Sequence, residues 1–123
     1  MGKDLLELRE MAKNFIDERD WRQFQTAKEL AINVSVEANE LLELFQWNDG
    51  KDLDKKLMNE GDKELFKKIK NETADVLFAC LAMADHLNFD LEQAFDDKLK
   101  ALGERYKKDE VKGKVVKIPE YTN

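Results

Sequence analysis

The stretch Val36-Glu-Ala-Asn-Glu-Leu-Leu-Glu-Leu-Phe-Gln-Trp47 (VEANELLELFQW) repeats apolar side chains at helical intervals, and Glu37, Glu40 and Glu43 stand among them. The apolar spacing makes the segment a helix with one buried face. A carboxylate on or beside such a face is costly to keep ionised unless it is paired or bound to a metal. This helix therefore raises the question of fold and of chemistry together.

Upstream, Thr26-Ala-Lys-Glu29 is a capping box: the Thr26 hydroxyl accepts the amide hydrogen of Glu29 while Glu29 reaches back. It opens a helix expected over residues 27 to 46. Before it, Leu5, Leu6, Leu8, Met11, Ala12, Phe15 and Ile16 recur at helical spacing and predict an amphipathic first helix over about 4 to 18. Downstream, Asn48-Asp49-Gly50 is expected to end the acidic helix, followed by a loop to Gly61 with a short helix around Leu53 to Met58. Asp62 is placed to cap a long helix that runs to Leu87 and is closed by Asn88. Asp90-Leu-Glu-Gln93 repeats the capping pattern and starts a helix to about Lys107. The sum is an all-α, four-helix-bundle-type fold. It is read as one helical domain over residues 1–110 with an extended tail over 111–123, where Gly113, two valines and Pro119 discourage further helix.

On the second long helix, Glu72 and Asp75 repeat the three-residue spacing of Glu37 and Glu40, so each pair shares a helix face. No other charge occurs between Lys70 and Asp85, nor between Glu29 and Glu43. One such pair is an ordinary feature of a solvated face; two pairs on successive helices, each inside an apolar run, suggest carboxylates that converge when the helices pack. Converging carboxylates repel and resist ionisation together. A divalent cation resolves the conflict, and an all-oxygen donor set favours Mg²⁺, with Mn²⁺ as substitute, over zinc.

Other features narrow the function. The net charge of −6 over 123 residues opposes a nonspecific grip on a nucleic acid polymer. No segment approaches the length of a membrane span, and the charged start MGKDLLELRE lacks a leader's apolar core, so a cytoplasmic protein is expected. Cys80, the single cysteine, lies in LFACLAMA and reads as a buried structural thiol. A di-iron carboxylate site would need Glu-x-x-His pairs, and His86 has Met83 three residues before it. Trp21 and Trp47 are, from residue type alone, better suited to a core than to a ligand.

The order E-x-x-E on one helix and E-x-x-D on the next resembles the signature of the MazG-like superfamily of all-α nucleoside triphosphate pyrophosphohydrolases. The run Arg19 to Trp47 (RDWRQFQTAKELAINVSVEANELLELFQW) is similar to its dCTP pyrophosphatase branch, as are Glu72 to Leu77 (ETADVL) and the pairs Lys98-Leu99 and Arg105-Tyr106. The resemblance implies cleavage of a nucleoside triphosphate, dCTP or a related dNTP, into monophosphate and pyrophosphate. It implies Mg²⁺ held by Glu37, Glu40, Glu72 and Asp75, with Glu40 as the candidate base. Trp21 and Trp47 become base walls, Gln25 a reader of the base edge, and Lys28, Lys98, Arg105 and Tyr106 contacts to the substrate. It further implies a homo-oligomer, a tetramer built as a dimer of dimers. This chain departs from the pattern at Gln25, where many relatives have histidine, at Ala79, where some have tyrosine, and at Leu102, where an asparagine is common. The reading of a different kind is a non-enzymatic helical oligomerisation or interaction module.

Overall fold

In the computed structural model, which describes residues 2–58 and 61–114, Thr26, Asp62 and Asp90 cap the helices that the sequence assigns to them, and Asp4, not singled out from the sequence, caps the first. Asp4 accepts from the Glu7 amide at 2.8 Å and opens α1 (Leu5–Glu18). Thr26 Oγ1 accepts from the Glu29 amide at 3.2 Å and opens α2 (Ala27–Glu43). Asp62 accepts from the Leu65 amide at 3.0 Å and opens α4 (Lys63–Leu87), and Asp90 accepts from the Gln93 amide at 3.1 Å and opens α5 (Leu91–Arg105). Each cap satisfies an amide that the helix itself leaves unbonded. Asn88 closes α4 with φ +54°, the left-handed geometry that asparagine tolerates better than most side chains.

Two boundaries differ from expectation. The helix carrying the acidic stretch ends at Glu43, and residues 44–47 continue as tightened turns in which Leu44 and Phe45 bond back three residues rather than four. The short helix expected around Leu53 to Met58 is present and starts three residues earlier, at Gly50. Asp49 Oδ1 accepts from the amides of Lys51 and Asp52, both at 3.1 Å, and starts α3 (Gly50–Met58). Asp49 therefore begins a helix where it was expected to help end one.

The chain divides into two compact units, Met1–Phe89 and Asp90–Asn123. In the first, α4 is the shared element, packing against α2, α1 and α3. Ile16 of α1, Leu30 of α2 and Ala82 of α4 meet in the core, with Met83 packed against them. Burying Ile16 and Leu30, each 1% exposed, stabilises by about 1.5–3 kcal/mol apiece. Ala79, Ala82 and Ala84 are also buried on α4, and their small side chains allow α1 and α2 to approach closely. Cys80 is half-buried rather than fully enclosed. The second unit comprises α5 and the short α6 (Lys108–Val111). The extended tail expected from residue 111 begins with the last residue of α6, and residues 115–123 lie outside the described residues. Among the described residues there is no strand, and no helix is long and apolar enough to cross a membrane.

Candidate metal and nucleotide site

Glu37 and Glu40 lie on α2 and Glu72 on α4, the two helices with the most extensive contact in the first unit. One carboxylate oxygen from each of the three falls within 4.8 Å of the others. Glu37 and Glu72 are half-buried, and Oε2 of each is enclosed without a hydrogen-bond partner. Glu40 is exposed and forms the open side of the group. Asp75 is exposed and is not part of this three-residue group, although it shares a cavity wall with Glu37.

The electrostatics follow from this placement. Burial raises the pKa of Glu37 above the usual carboxylate value, and the adjacent Glu40 carboxylate raises it further, with Asp75 and Glu72 adding repulsion. Burial likewise raises Glu72, followed by the charges of Glu40 and Asp75. Asp75 thus contributes through its field to both half-buried carboxylates. The arrangement is a set of oxygen donors short of positive charge, which is what a hard divalent cation supplies.

Beside the carboxylates, a cavity of about 190 Å³ is lined by Gln25, Leu30, Asn33, Glu37, Asp75, Phe78, Ala79 and Ala82. Gln25 is one of its lining residues, and its Oε1 is enclosed without a hydrogen-bond partner. Asn33 was not singled out from the sequence, yet it stands one helical turn before Glu37 on α2 and, with Ser35, is one of two polar residues in the run Leu30 to Val36. That spacing is the signal that marks it. Trp21 is half-exposed and meets Phe15 edge-on, with ring centres 5.9 Å apart. Phe15 also meets Phe78 edge-on at 5.8 Å. Trp47 lies in the turn after α2 and is 86% exposed, so it is no part of the core. Lys28 is exposed on the first turn of α2. Lys98 and Arg105 lie seven residues apart on α5, hence on one face of that helix, with Tyr106 directly after its end. Those three belong to the second unit.

Comparison with known proteins matches residues 32–117 to the MazG-like family. The chain is 30% identical to dCTP pyrophosphatase 1 of Mus musculus over 102 residues, which is 83% of this chain and 58% of that protein. It is 29% identical to dCTP pyrophosphatase 1 of Bos taurus, covering 83% of this chain and 59% of that one. The chain spans less than two thirds of the length of these relatives. Among solved structures, a pyrophosphatase from Archaeoglobus fulgidus DSM 4304 superposes with a TM-score of 0.74 at 28% identity, covering 87% of this chain and 95% of that one.

Proposed function

The chain belongs to the MazG-like family, and on that footing we propose that it is a Mg²⁺-dependent pyrophosphohydrolase that cleaves deoxynucleoside triphosphates to the monophosphate and pyrophosphate. The observation that carries the reading is the group of Glu37, Glu40 and Glu72, two of whose oxygens are enclosed and unpartnered. These residues fit a hard cation: the donors are all oxygen, they come from two packed helices, and burial and the neighbouring carboxylates raise the pKa values of Glu37 and Glu72. Glu37, Glu40 and Glu72 would hold Mg²⁺, or Mn²⁺ in its place, with Asp75 as the fourth carboxylate. When bound, the ion supplies countercharge for the triphosphate and acidity for the attacking water.

The chain's own groups account for the remaining tasks. Glu40, the most open carboxylate of the group, accepts the proton of the attacking water. The water oxygen bonds to the α-phosphorus, and the α–β bridging oxygen leaves with pyrophosphate. The faces of Trp21 and Trp47 stack on the base, which needs no particular base identity. The Gln25 amide offers a donor and an acceptor to a base edge, and a dCTP-like preference is in keeping with the names of the relatives. Lys28, Lys98, Arg105 and Tyr106 are assigned to the phosphates and sugar. Such an enzyme would act on the cytoplasmic nucleotide pool.

We further propose that the working form is a homo-oligomer, a tetramer assembled as two dimers. Leu6 and Met11 of α1, Ile32 and Val36 of α2 and Leu77 of α4 are exposed in the single chain, and a second copy would remove that apolar surface from water. The same surfaces favour the alternative of a non-enzymatic helical interaction module. Incubation with each dNTP and Mg²⁺, with pyrophosphate and monophosphate measured, separates the two. Metal-dependent release of both products supports the enzyme, and absence of turnover with every nucleotide leaves the module. Light scattering on the eluting protein tests the oligomer, and a monomer contradicts it.

A further inference from the structure

Arg22 lies in the 3-10 turn Arg22–Phe24, directly after Trp21 and shortly before Gln25. Its guanidinium bridges two helices. Nε donates to Oδ1 of Asp17 on α1 at 2.7 Å, and Nη2 donates to Oδ2 of Asp85 on α4 at 2.6 Å. The Asp85 side chain is only 6% exposed, and its other oxygen faces Nε of Arg9 at 3.9 Å. Arg9 in turn donates to the Phe89 carbonyl and to Asn88 Oδ1, both at 2.8 Å, which ties α1 to the end of α4. A planar fork engaged by two carboxylates fixes direction as well as distance, which a point charge does not.

The turn that Arg22 fastens is strained. Asp20 has φ +54°, a left-handed conformation that is unfavourable for an L residue and persists only where its surroundings over-determine it. Gln23 Nε2 braces it by donating to the Asp20 carbonyl at 3.0 Å and to Oδ2 at 2.8 Å. The Trp21 amide donates to the Ile16 carbonyl at 3.2 Å. The half-exposed indole of Trp21 meets Phe15 through an edge contact, and the backbone of this turn sets where that indole starts. The turn also delivers Gln25, which lines the cavity beside Glu37 and whose amide oxygen is enclosed without a partner.

We propose that Arg22, clamped by Asp17 and Asp85, is a positioning residue that sets Trp21 and Gln25 for the nucleobase without touching the nucleotide. This rests on the assignment of those two residues to the base given above. The clamp acts on binding of the base, whereas bond cleavage depends on the carboxylates of α2 and α4. The split between KM and kcat therefore reports it.

The test uses the full chain with Mg²⁺ and the dNTP it turns over best. Arg22→Gln cannot satisfy both carboxylates and is expected to raise KM about tenfold, with kcat within about twofold of the unaltered chain. Arg22→Lys keeps the charge and one contact and should recover part of that loss. Asp17→Asn leaves the Arg22–Asp85 pair in place, so it folds even if Arg22→Gln does not, and it should raise KM by a smaller factor. A second readout needs no turnover: in a Trp47→Phe background Trp21 is the sole tryptophan, and Arg22→Gln should make it more accessible to acrylamide quenching. A folded Arg22 variant with unchanged KM and unchanged quenching overturns the proposal. So does a loss of kcat that tracks a falling Tm without recovery by lysine. If the unaltered chain turns over no nucleotide, the enzymatic reading fails, and the positioning role falls with it, a result distinct from either of those.

Discussion

Glu37 on α2 and Glu72 on α4 bring carboxylate oxygens within 4.8 Å of each other, and each keeps one oxygen enclosed without a hydrogen-bond partner. The packing of the two helices thus confines like charges that a free chain would hold apart. Folding without a cation works against this repulsion, and the first consequences concern stability.

Glu37 and Glu72 both titrate above the ordinary carboxylate value, through burial first and neighbouring carboxylates second. The folded state therefore holds their protons more tightly than the unfolded chain does, so the metal-free protein gains stability as pH falls through their raised values. The gain ends at the unfolded value of about pH 4.3. Asp17 works the other way: the Arg22 hydrogen bond lowers it, and its contribution is lost only as pH falls through that lowered value. In EDTA, Tm should rise from roughly pH 7 to pH 5, and Mg²⁺ should raise Tm more at the higher pH. Melting curves across that range check both statements. A metal-free Tm that falls on acidification over this interval contradicts them.

Glu40→Ala removes the exposed carboxylate that repels both half-buried ones. Turnover should fall by about 10²-fold or more. The metal-free protein should be as stable as before or more so, because a repulsion is relieved at a site where no apolar packing is lost. Calorimetry in EDTA beside a pyrophosphate assay separates this outcome from a structural role, for which the variant would melt earlier.

Trp47→Ala should leave Tm within the small change typical of surface positions, about 0.5 kcal/mol in stability, since the residue is 86% exposed. KM should rise with kcat little changed, because stacking on a base is a binding interaction. Steady-state kinetics checks this, and unaltered KM would remove Trp47 from the base site.

Ala79 is 5% exposed and lines the cavity of about 190 Å³ together with Gln25 and Asn33. Ala79→Leu places its added volume in that space, so the stability cost should stay below about 1.5 kcal/mol, less than overpacking a filled core would bring. Nucleotide binding should weaken, most for the preferred base. Denaturant unfolding and a dNTP panel read the two effects; a large stability loss would mean that the cavity does not accept the side chain.

The legible parts of this chain are those written locally. Thr26, Asp62, Asp90 and Asn88 each act on an amide or a carbonyl within a few residues, so spacing alone locates the ends they make. The three-residue spacing of Glu37 and Glu40, and the apolar run around Glu72, likewise pointed to carboxylates gathered between two helices. The end of α2 was less readable, because Leu44 and Phe45 continue the apolar pattern while the backbone tightens into turns, and periodicity does not distinguish the two. Asp49 was ambiguous for a related reason: the same residue type ends one helix and caps the next. Asp75 shares the spacing that links it to Glu72 but stands outside the three-residue group. The Arg22–Asp85 pair left no sequence signature, since its partners lie 63 positions apart and meet only through the packing of α1 on α4.

Asp75 and Asp85 stand on one unbroken helix, α4, at a separation of about 15 Å from the 1.5 Å rise per residue. The first adjoins the carboxylate group and the second anchors the turn that carries Trp21. That helix therefore acts as a ruler between the two ends of the proposed site, and its rotational phase is as fixed as its length. One residue inserted between them would swing the Asp85 end by about 100° and lengthen the span by about 1.5 Å, so this interval has no freedom to drift in length even where its side chains can vary.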